Sequence, residues 1–137
     1  MVYIASPFFS EEELNNVKLV EKILSDRKID FFSPRQHEMR GDLQKLAPQI
    51  FELDKKMIDK SDCVLVLYYG VYSDSGTAWE CGYAYAKDKA VIICHLGKDA
   101  NIMVHKGSDT NISIDDLKTF DFNFENFEPK DYFGPMM

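Results

Sequence analysis

Residues 63–84 read CVLVLYYGVYSDSGTAWECGYA, and this stretch decides the fold class. Its first six residues, Cys63 to Tyr68, are apolar, which is typical of a strand buried on both faces of a parallel sheet. The loop Tyr69 to Ser75 follows, and Gly76 to Lys87 is predicted to be a helix. A buried strand that leads through a loop into a helix indicates an α/β protein.

The residues at the start of the chain predict a first strand and helix. Val2 to Ala5 is short, apolar and partly β-branched, as a buried strand should be. Ser10 to Glu13 reads SEEE, a capping box in which serine precedes a helix and glutamate follows three residues later. The helix is expected to end near Arg27, because apolar residues recur at helical spacing before it: Leu14, Val17, Val20, Ile23 and Leu24.

A second strand and a second helix come next. Ile29 to Ser33 predicts a strand, which Pro34 ends, and a polar loop then runs to Gly41. Leu43 to Lys60 predicts a helix, in which Pro48 is a flaw near the start because proline cannot donate a backbone hydrogen bond.

A fourth strand completes the alternation. Ala90 to Cys94 predicts this strand, and the chain is less regular from His95 onward. The order β-α-β-α-β-α-β favours an open α/β sheet of the doubly wound, flavodoxin-like or Rossmann-like kind. We expect a mostly parallel sheet of about five strands with helices on both faces, and a single domain over residues 1–137.

The C-terminal tail, residues 120–137, is rich in aromatic side chains. A tail of this composition must pack on its own domain or on another subunit, and we expect it to take part in a subunit contact. Its aromatic residues are Phe120, Phe122, Phe124, Phe127, Tyr132 and Phe133.

Composition excludes several classes of partner. The 137 residues are 45% hydrophobic and 13% aromatic, enough for a packed core, and the net charge is −7. Lys and Arg are scattered, so neither polymeric nucleic acid nor an anionic membrane is expected as a partner. Three cysteines in apolar segments, Cys63, Cys81 and Cys94, indicate reduced thiols. With no signal peptide or membrane span predicted, we expect a cytoplasmic protein.

Ligands of open α/β sheets bind beyond the carboxyl ends of the strands, and Glu80 is predicted to face that crevice. It lies near the start of a helix, whose dipole favours the ionised form, among Gly, Ala, Trp, Cys and Tyr residues. Glu80 and Asp74 form a pair of carboxylates six residues apart. Such a pair suits glycosidic cleavage, which needs one ionised and one protonated carboxyl group. The alternative is that Asp74 caps the helix and Glu80 is a surface charge.

Other candidates have simple structural explanations when taken alone. Asp54 belongs to the charged sequence DKK on a helix, and Tyr3 is a core tyrosine whose hydroxyl would need a partner. The histidines, His37, His95 and His105, lack the spacing of metal ligands, so no metal is expected. Neither GxGxxG nor GxxxxGK[ST] occurs, and no organic cofactor is expected.

Three segments, in order along the chain, resemble the nucleoside 2-deoxyribosyltransferases. They are 2–9 (VYIASPFF), 32–35 (FSPR) and 74–84 (DSGTAWECGYA). The resemblance implies a doubly wound parallel sheet and transfer of 2-deoxyribose between nucleobases. It makes Glu80 the nucleophile that forms a covalent glycosyl intermediate, and Asp74 the group that exchanges a proton with the base. Asp54 would support the site, and the Tyr3 hydroxyl would orient the nucleophile.

The same resemblance implies substrate-binding residues. Phe8 falls where the family has an aromatic residue against the base, and Gln36 falls close to a polar residue that recognises the base. Gly76, in the segment between Asp74 and Glu80, is also assigned to substrate binding.

Two further residues would serve the active site of a neighbouring subunit. Asn111 is the best match to an asparagine that a neighbour supplies near the nucleophile, although Asp109 or Thr110 can be aligned there instead. Met137 would carry a C-terminal carboxylate to the neighbouring site. The resemblance therefore implies a homo-oligomer, dimer-based or larger, that acts on a deoxyribonucleoside and a free nucleobase.

Two rival functions stay open. A deoxynucleoside 5′-monophosphate N-glycosidase of similar fold would need phosphate contacts from a Gly- and Ser-rich loop with a basic residue. The corresponding loop here, SPFFSEEE, is aromatic and acidic, although Arg35 or Arg40 offers a partial substitute. A non-catalytic nucleoside or nucleotide sensor would keep the pocket without needing both Asp74 and Glu80.

Overall fold

A five-stranded parallel sheet forms the centre of the molecule in the computed structural model, which describes residues 1–125 and 127–137. The strand order is β2-β1-β3-β4-β5, and each neighbouring pair is parallel. The strands are β1 (Val2–Ala5), β2 (Phe31–Phe32), β3 (Cys63–Tyr68), β4 (Ala90–His95) and β5 (Thr110–Ile112). The helices are α1 (Glu11–Asp26), α2 (Leu43–Lys60), α3 (Ser75–Ala86) and α4 (Ile102–Lys106). Two 3-10 helices, Pro34–His37 and Asp115–Lys118, complete the described elements.

Alternate residues of the strands point to opposite faces of the sheet, and each face has its own core cluster. On one face, Ile4 and Leu65 pack with the apolar side of α1. On the other, Tyr3 and Val64 pack with residues of α2, α3 and α4. Helices therefore cover both faces, as the doubly wound prediction required. Among the described residues, none of the helices has both the length and the apolar character that crossing a membrane demands.

The first helix begins as predicted. Ser10 Oγ accepts a hydrogen bond from the backbone N–H of Glu13 at 3.1 Å, and Glu13 Oε1 accepts one from the backbone N–H of Ser10 at 2.8 Å. These bonds satisfy two backbone donors that a helix start leaves without partners. The helix ends at Asp26, so Arg27 is the residue that caps it.

The second strand is shorter than the predicted span 29–33. Lys28 has a positive φ of 57°, and the backbone N–H of Ile29 donates to the carbonyl of Leu24 at 2.9 Å. Ile29 therefore belongs to the turn that ends α1. At the other end, Ser33 begins the 3-10 helix Pro34–His37, which lies inside the predicted polar loop. Phe31 and Phe32 remain as the strand.

The predictions for the other main elements are close to the structure. The second helix matches its predicted bounds with Pro48 inside it, and β3 matches as well. The third helix begins at Ser75 instead of Gly76 and ends at Ala86 instead of Lys87. The fourth strand continues to His95. The sequence beyond His95, for which no element was predicted, contains α4, β5 and a 3-10 helix.

Much of the aromatic tail packs on its own chain. Phe120, Phe122 and Phe124 contact the cluster beneath α1, and Tyr132 contacts the cluster on the other face. By contrast, the side chain of Phe133 is 93% exposed. The intrachain contacts account for part of the aromatic content, and the expected subunit contact stays a prediction.

Two histidines lie beneath this tail. His95 Nδ1 and His105 Nε2 are 3.0 Å apart, so one of the nitrogens donates and the other accepts. The Tyr132 ring stacks on His95 with centroids 4.3 Å apart, and the Tyr68 ring meets His105 edge to face at 5.3 Å. Burial, followed by the neighbouring His95, lowers the pKa of His105 to about 4.

This buried histidine makes the stability of the fold depend on pH. Because the pKa of His105 falls from 6.5 unfolded to about 4 folded, the unfolded state binds more protons between these values. Stability should therefore decrease as the pH falls from about 6.5 towards 4. His105→Phe keeps a ring beneath Tyr132 and should remove roughly 1–2 kcal/mol of this decrease. Urea unfolding at pH 7 and pH 4.5 measures it, and an equal pH dependence in the variant would contradict it.

Candidate active site

Glu80 lies in the second turn of α3, and its carboxyl group is directed into the protein. Its Oε2 atom is buried and has no hydrogen-bond partner among the described residues. Burial, and then the negative charges of Asp54 and Asp74, raises the pKa of Glu80 to about 8, whereas the Tyr3 hydroxyl partly offsets this rise. The helix dipole is expected to favour the ionised form, but burial and the two nearby carboxylates leave the pKa raised overall.

Tyr3 places a hydroxyl group beside this carboxyl group. The residue is fully buried on β1. Its Oη atom also has no hydrogen-bond partner in suitable geometry among the described residues. Burial, and then the charges of Glu80 and Asp54, raises the pKa of Tyr3 far above its ordinary value. Tyr3 therefore stays neutral and has a proton to donate to Glu80, and its orienting role stays a prediction.

Asp54 approaches the same place from α2. It is half-buried, and this burial raises its pKa to about 6, while the positive charge of His37 acts in the opposite direction. The sequence alone favoured a solvated charge in DKK, but Asp54 lies beside Glu80 at the edge of a cavity. Shifted carboxyl groups that meet in a cavity are typical of catalytic sites.

The cavity of Glu80 lies between α2 and α3 and has a volume of about 720 Å³, within the range of small-molecule sites. Its lining is mainly apolar or small apart from Lys55 and the two carboxylates. Phe51 and Trp79 meet edge to face there, with ring centroids 5.3 Å apart. The described lining residues are Leu43, Ala47, Ile50, Phe51, Asp54, Lys55, Ile58, Ser75, Gly76, Trp79 and Glu80. An apolar lining with two carboxylates suits a neutral ligand with a flat ring.

Asp74 caps α3, as the structural alternative predicted. Its Oδ2 atom accepts hydrogen bonds from the backbone N–H of Thr77 at 2.8 Å and from Thr77 Oγ1 at 2.9 Å. Asp74 lines a neighbouring cavity of about 560 Å³ between α3 and α4, which shares Ser75 with the cavity of Glu80. Its charge still reaches Glu80 and raises the pKa of that group. A helix cap and a role in proton transfer are compatible for this residue.

Gly76 lies between the two carboxylates and lines the cavity of Glu80. A Cβ atom at this position would be 3.1 Å from Asp74 Oδ2, closer than side chains ordinarily pack. Glycine therefore leaves room for the carboxylate that caps α3.

Phe8 and Gln36, both predicted to contact the base, do not line this cavity. Phe8 packs against the core cluster on the α1 side of the sheet, with its ring 5.2 Å from that of Phe9. Gln36 is exposed on the 3-10 helix Pro34–His37. Both follow strands β1 and β2 at the carboxyl edge, so they lie at the predicted edge of the sheet.

The residues assigned to the active site of a neighbouring subunit lie on or next to β5, the outer strand on the opposite side of the sheet from β2. Asn111 is on β5, and its Oδ1 atom is buried without a partner among the described residues. Asp109 accepts a bond from the backbone of Val91 at 2.7 Å, and Thr110 accepts one from the backbone of Lys130 at 2.9 Å. Both of these side chains are engaged within the chain, and the choice among the three residues stays a prediction.

Met137 is held at the start of α4. Its backbone N–H donates to the carbonyl of Ala100 at 2.9 Å, and an oxygen of its terminal carboxylate accepts from the backbone N–H of Ile102 at 2.7 Å. Met137 and Asn111 are thus on the α4–β5 side of the chain, away from the α2–α3 cavity that holds its own Glu80.

The sequence interpretation missed Glu21, His37 and the aromatic lining of the cavity. One signal for Glu21 was present: it is a charged residue four positions after Val17 and three before Leu24, on the apolar side of α1. A charge at such a position is expected to have a buried partner. No comparable signal marked His37, whose ring stacks on Phe32, five residues earlier in the chain.

The Tyr3 hydroxyl should lower the pKa of Glu80 measurably. Tyr3→Phe removes the donor and keeps the ring, so the pKa of Glu80 should rise by roughly 0.5–1 unit above its wild-type value of about 8. Carboxyl ¹³C NMR measures this titration. Tyr83→Phe is the control, since Tyr83 binds the surface residue Asp59. An unchanged Glu80 titration in Tyr3→Phe would refute the contact.

The chain matches the family model described as nucleoside 2-deoxyribosyltransferase over residues 2–128. It is similar to the 2-deoxyribosyltransferase of the psychrotolerant bacterium Bacillus psychrosaccharolyticus. The two are 29% identical over 96% of this chain and 98% of that chain, with a TM-score of 0.86. A conserved protein of Enterococcus faecalis is 33% identical over 67% of this chain and 60% of that chain, with a TM-score of 0.57.

A more distant structure shares the fold alone. This is the CMP N-glycosidase of Clostridium botulinum, at 19% identity over 87% of this chain and 98% of that chain, with a TM-score of 0.61. No curated protein matches the sequence significantly. The family match over residues 2–128, together with the structural match over nearly the whole chain, shows that this protein belongs to the nucleoside 2-deoxyribosyltransferase family and is a glycosyl-transferring enzyme.

Proposed function

We propose that this enzyme transfers 2-deoxyribose from a deoxyribonucleoside to a free nucleobase through a covalent intermediate on Glu80. The observation that carries the proposal is the buried, unpartnered Oε2 atom of Glu80, beside the Tyr3 hydroxyl in an apolar cavity. The similar enzyme of Bacillus psychrosaccharolyticus is a 2-deoxyribosyltransferase described as a biocatalyst for nucleoside synthesis, which supports the same substrate class here.

The proposed reaction has two displacements. In the first, Glu80 releases its proton to solvent and its carboxylate oxygen bonds to the anomeric carbon; the N-glycosidic bond breaks, and its electrons leave on the base, which takes a proton from the protonated carboxyl group of Asp74. In the second, the acceptor base loses a proton to Asp74 and attacks the same carbon, and Glu80 leaves. Two inversions retain the configuration. Water in place of the acceptor gives slow hydrolysis.

The raised pKa of Glu80 is compatible with its proposed role as the nucleophile. A nucleophile must be ionised, and a carboxyl group with a pKa of about 8 is mainly protonated at pH 7. Donation from Tyr3, and the positive charge that develops on the sugar in the transition state, both favour the ionised form. The carboxylate is thus better stabilised in the transition state than in the empty cavity, which is the condition for catalysis.

Asp54 is a second candidate for the proton-exchanging group. It shares the cavity with Glu80 and has a pKa of about 6, close to the working range of a general acid. Asp74 has the position that the family resemblance assigns to this role, but one of its oxygens caps α3. We assign proton exchange to Asp74 and support of the ionised site to Asp54.

The site is proposed to be shared between subunits. Exposed apolar side chains surround the cavity, among them Leu43, Phe51 and Trp79, at 68%, 47% and 47% exposure. A contiguous patch of this kind beside a cavity favours a protein contact. Asn111 Oδ1 is buried and has no hydrogen-bond partner among the described residues, so the contacts within the chain leave this acceptor unused.

The contacts of Arg35 argue against the alternative function, a deoxynucleoside 5′-monophosphate N-glycosidase. This arginine was a candidate for phosphate binding, but it forms a pair with Glu21 and donates to that carboxylate through Nε at 2.9 Å. Arg40 is exposed on the loop before α2. A phosphate beside the loop after β1 would also face Glu12 and Glu13, which line the surface there.

One assay separates transfer, monophosphate cleavage and simple binding. Deoxyinosine with adenine should yield deoxyadenosine, detected by chromatography, whereas a deoxynucleoside monophosphate should release little base. Base release from the monophosphate alone would overturn the transferase assignment, and no turnover of either would favour a sensor.

The carboxylates should differ in their effects on this reaction. Glu80→Gln should reduce transfer by at least about 10³-fold, because a neutral amide cannot form the glycosyl ester. Asp74→Asn should reduce transfer by roughly 10²–10⁴-fold, the usual contribution of a proton-transferring group. Asp59→Asn, on the outer surface of α2, is the control. A larger loss in Asp54→Asn than in Asp74→Asn would move the proton-exchanging role to Asp54.

A shared site predicts complementation between inactive variants. Glu80→Ala lacks its own nucleophile, and Asn111→Ala lacks the residue offered to a neighbour, so each homo-oligomer should be impaired. Mixed oligomers from co-expression contain some sites with both residues intact, and transfer should rise above that of either variant alone. Activity equal to the weighted mean of the separate variants would show that each chain completes its own site.

A further inference from the structure

The loop that leads from β3 to Asp74 turns sharply at Gly70. This glycine is buried and has a positive φ of 111°, a conformation that residues with side chains rarely adopt. The backbone N–H of Ser73 donates to the carbonyl of Gly70 at 3.0 Å, which closes a turn over residues 70–73. Asp74 follows this turn directly, so the position of the turn sets where the backbone of Asp74 lies.

Asp99, in the loop after β4, holds the turn. Its Oδ1 atom accepts a hydrogen bond from the backbone N–H of Val71 at 2.9 Å. A Cβ atom on Gly70 would clash with the same Asp99 oxygen, so glycine is what lets the carboxylate lie directly against the turn. Asp99 does not line the cavity of Glu80, and the proposed reaction gives it no role.

The two loops also touch through their backbones. A Cβ atom on Gly97 would clash with the backbone carbonyl of Tyr69, so the loop after β4 packs against the loop after β3 at this point. The backbone N–H of Leu96 donates to the carbonyl of Tyr68 at 2.7 Å, which continues the pairing of β3 and β4 beyond the strands. The contact of Asp99 with Val71 is therefore part of a close fit between the two loops.

The segment that carries Asp99 is itself fixed. Ala100 is fully buried, and its carbonyl accepts a hydrogen bond from the backbone N–H of Met137 at 2.9 Å. The backbone N–H of Asn101 donates to the hydroxyl of Tyr68, at the end of β3, at 2.8 Å. Asp99 thus extends from an anchored backbone, which is what a residue needs if it is to hold another loop in place.

Asp74 is consequently fixed from two sides. On one side its Oδ2 atom accepts the capping bonds of Thr77, and on the other its backbone continues the turn that Asp99 holds. A group that exchanges a proton with a base must come within hydrogen-bond distance of it. A displacement of about 1 Å in such a group costs on the order of 10²-fold in rate.

We propose that Asp99 is a positioning residue of the deoxyribosyl site, which fixes, through the backbone of Val71, the turn that places Asp74 beside the base. The inference rests on the proposed function and adds a residue to it. The contact needs an acceptor oxygen at one position, so an asparagine should replace Asp99. Because Asp99 acts through Asp74, its loss should matter only while Asp74 can exchange a proton.

A double-mutant cycle in the full-length protein tests this dependence. Asp99→Ala should lower kcat for transfer from deoxyinosine to adenine roughly 10–100-fold, with KM changed less than about twofold, because the proton-exchanging group is misplaced. In the Asp74→Asn background the same substitution should lower kcat less than about threefold, since the effects of coupled residues do not add.

Two further variants separate the hydrogen bond from the charge. Asp99→Asn keeps the acceptor oxygen and should keep most of the wild-type kcat. Asp99→Glu keeps the charge but moves the oxygen by one carbon, so it should lose kcat as Asp99→Ala does. Amide hydrogen exchange of Val71, followed by NMR, reports the bond without turnover and should be roughly 3–10-fold faster in Asp99→Ala than in the wild type. Asp115→Ala is the matched control, because Asp115 forms an exposed ion pair with Lys118.

Equal losses of kcat in the two backgrounds would show that Asp99 supports the fold in general, and they would overturn the inference. Unchanged exchange of Val71 in Asp99→Ala, or a loss in Asp99→Asn as large as that in Asp99→Ala, would overturn it as well. A wild-type protein that transfers no deoxyribose would refute the proposed function separately, whereas an active wild type with additive losses refutes the role of Asp99 alone.

Discussion

The structure of the site depends on the burial of the Glu80 carboxyl group. Removing this group from water, near Asp54 and Asp74, is unfavourable, and the fold provides only the Tyr3 hydroxyl as partial compensation within the described chain. Because the group borders a cavity, a ligand bound there would supply the interactions that the chain leaves out.

Much of the fold follows from hydrophobic pattern alone. The apolar run of β3 and the capping box of α1 predicted their elements closely, because both signals are local. The shortening of β2 was not visible, since it results from the turn after α1 and from Glu21, which takes Ser33 away from the strand. The elements beyond His95 escaped prediction because α4 and β5 have five and three residues, too few for a periodic signal.

The sequence predicted candidate residues for the site but not their environments. The family-like segments contain Tyr3, Asp74 and Glu80, and the resemblance also implied Asp54. Their pKa shifts, however, arise from burial and from neighbours that no sequence spacing reveals. Asp54 illustrates the difference, since two lysines follow it in the chain, whereas the carboxyl group of Glu80 and the hydroxyl of Tyr3 lie near it in space. The sequence predicted the helix cap formed by Asp74 as an alternative to a catalytic role. In the structure, only Asp74 Oδ2 accepts the capping hydrogen bonds of α3, so the cap does not use Oδ1.

The two outer strands of the sheet have a consequence for behaviour at high concentration. A parallel sheet with long, flat outer strands offers unpaired backbone groups to other chains, which promotes aggregation. Here β2 has two residues and β5 has three, and the backbone N–H of Asn111 on β5 is already bonded to the carbonyl of Lys130 at 2.8 Å. The long central strands are enclosed on both sides by their neighbours. The outer strands therefore offer few unpaired backbone groups to which another chain could add a strand. Ordered association must proceed through side-chain surfaces.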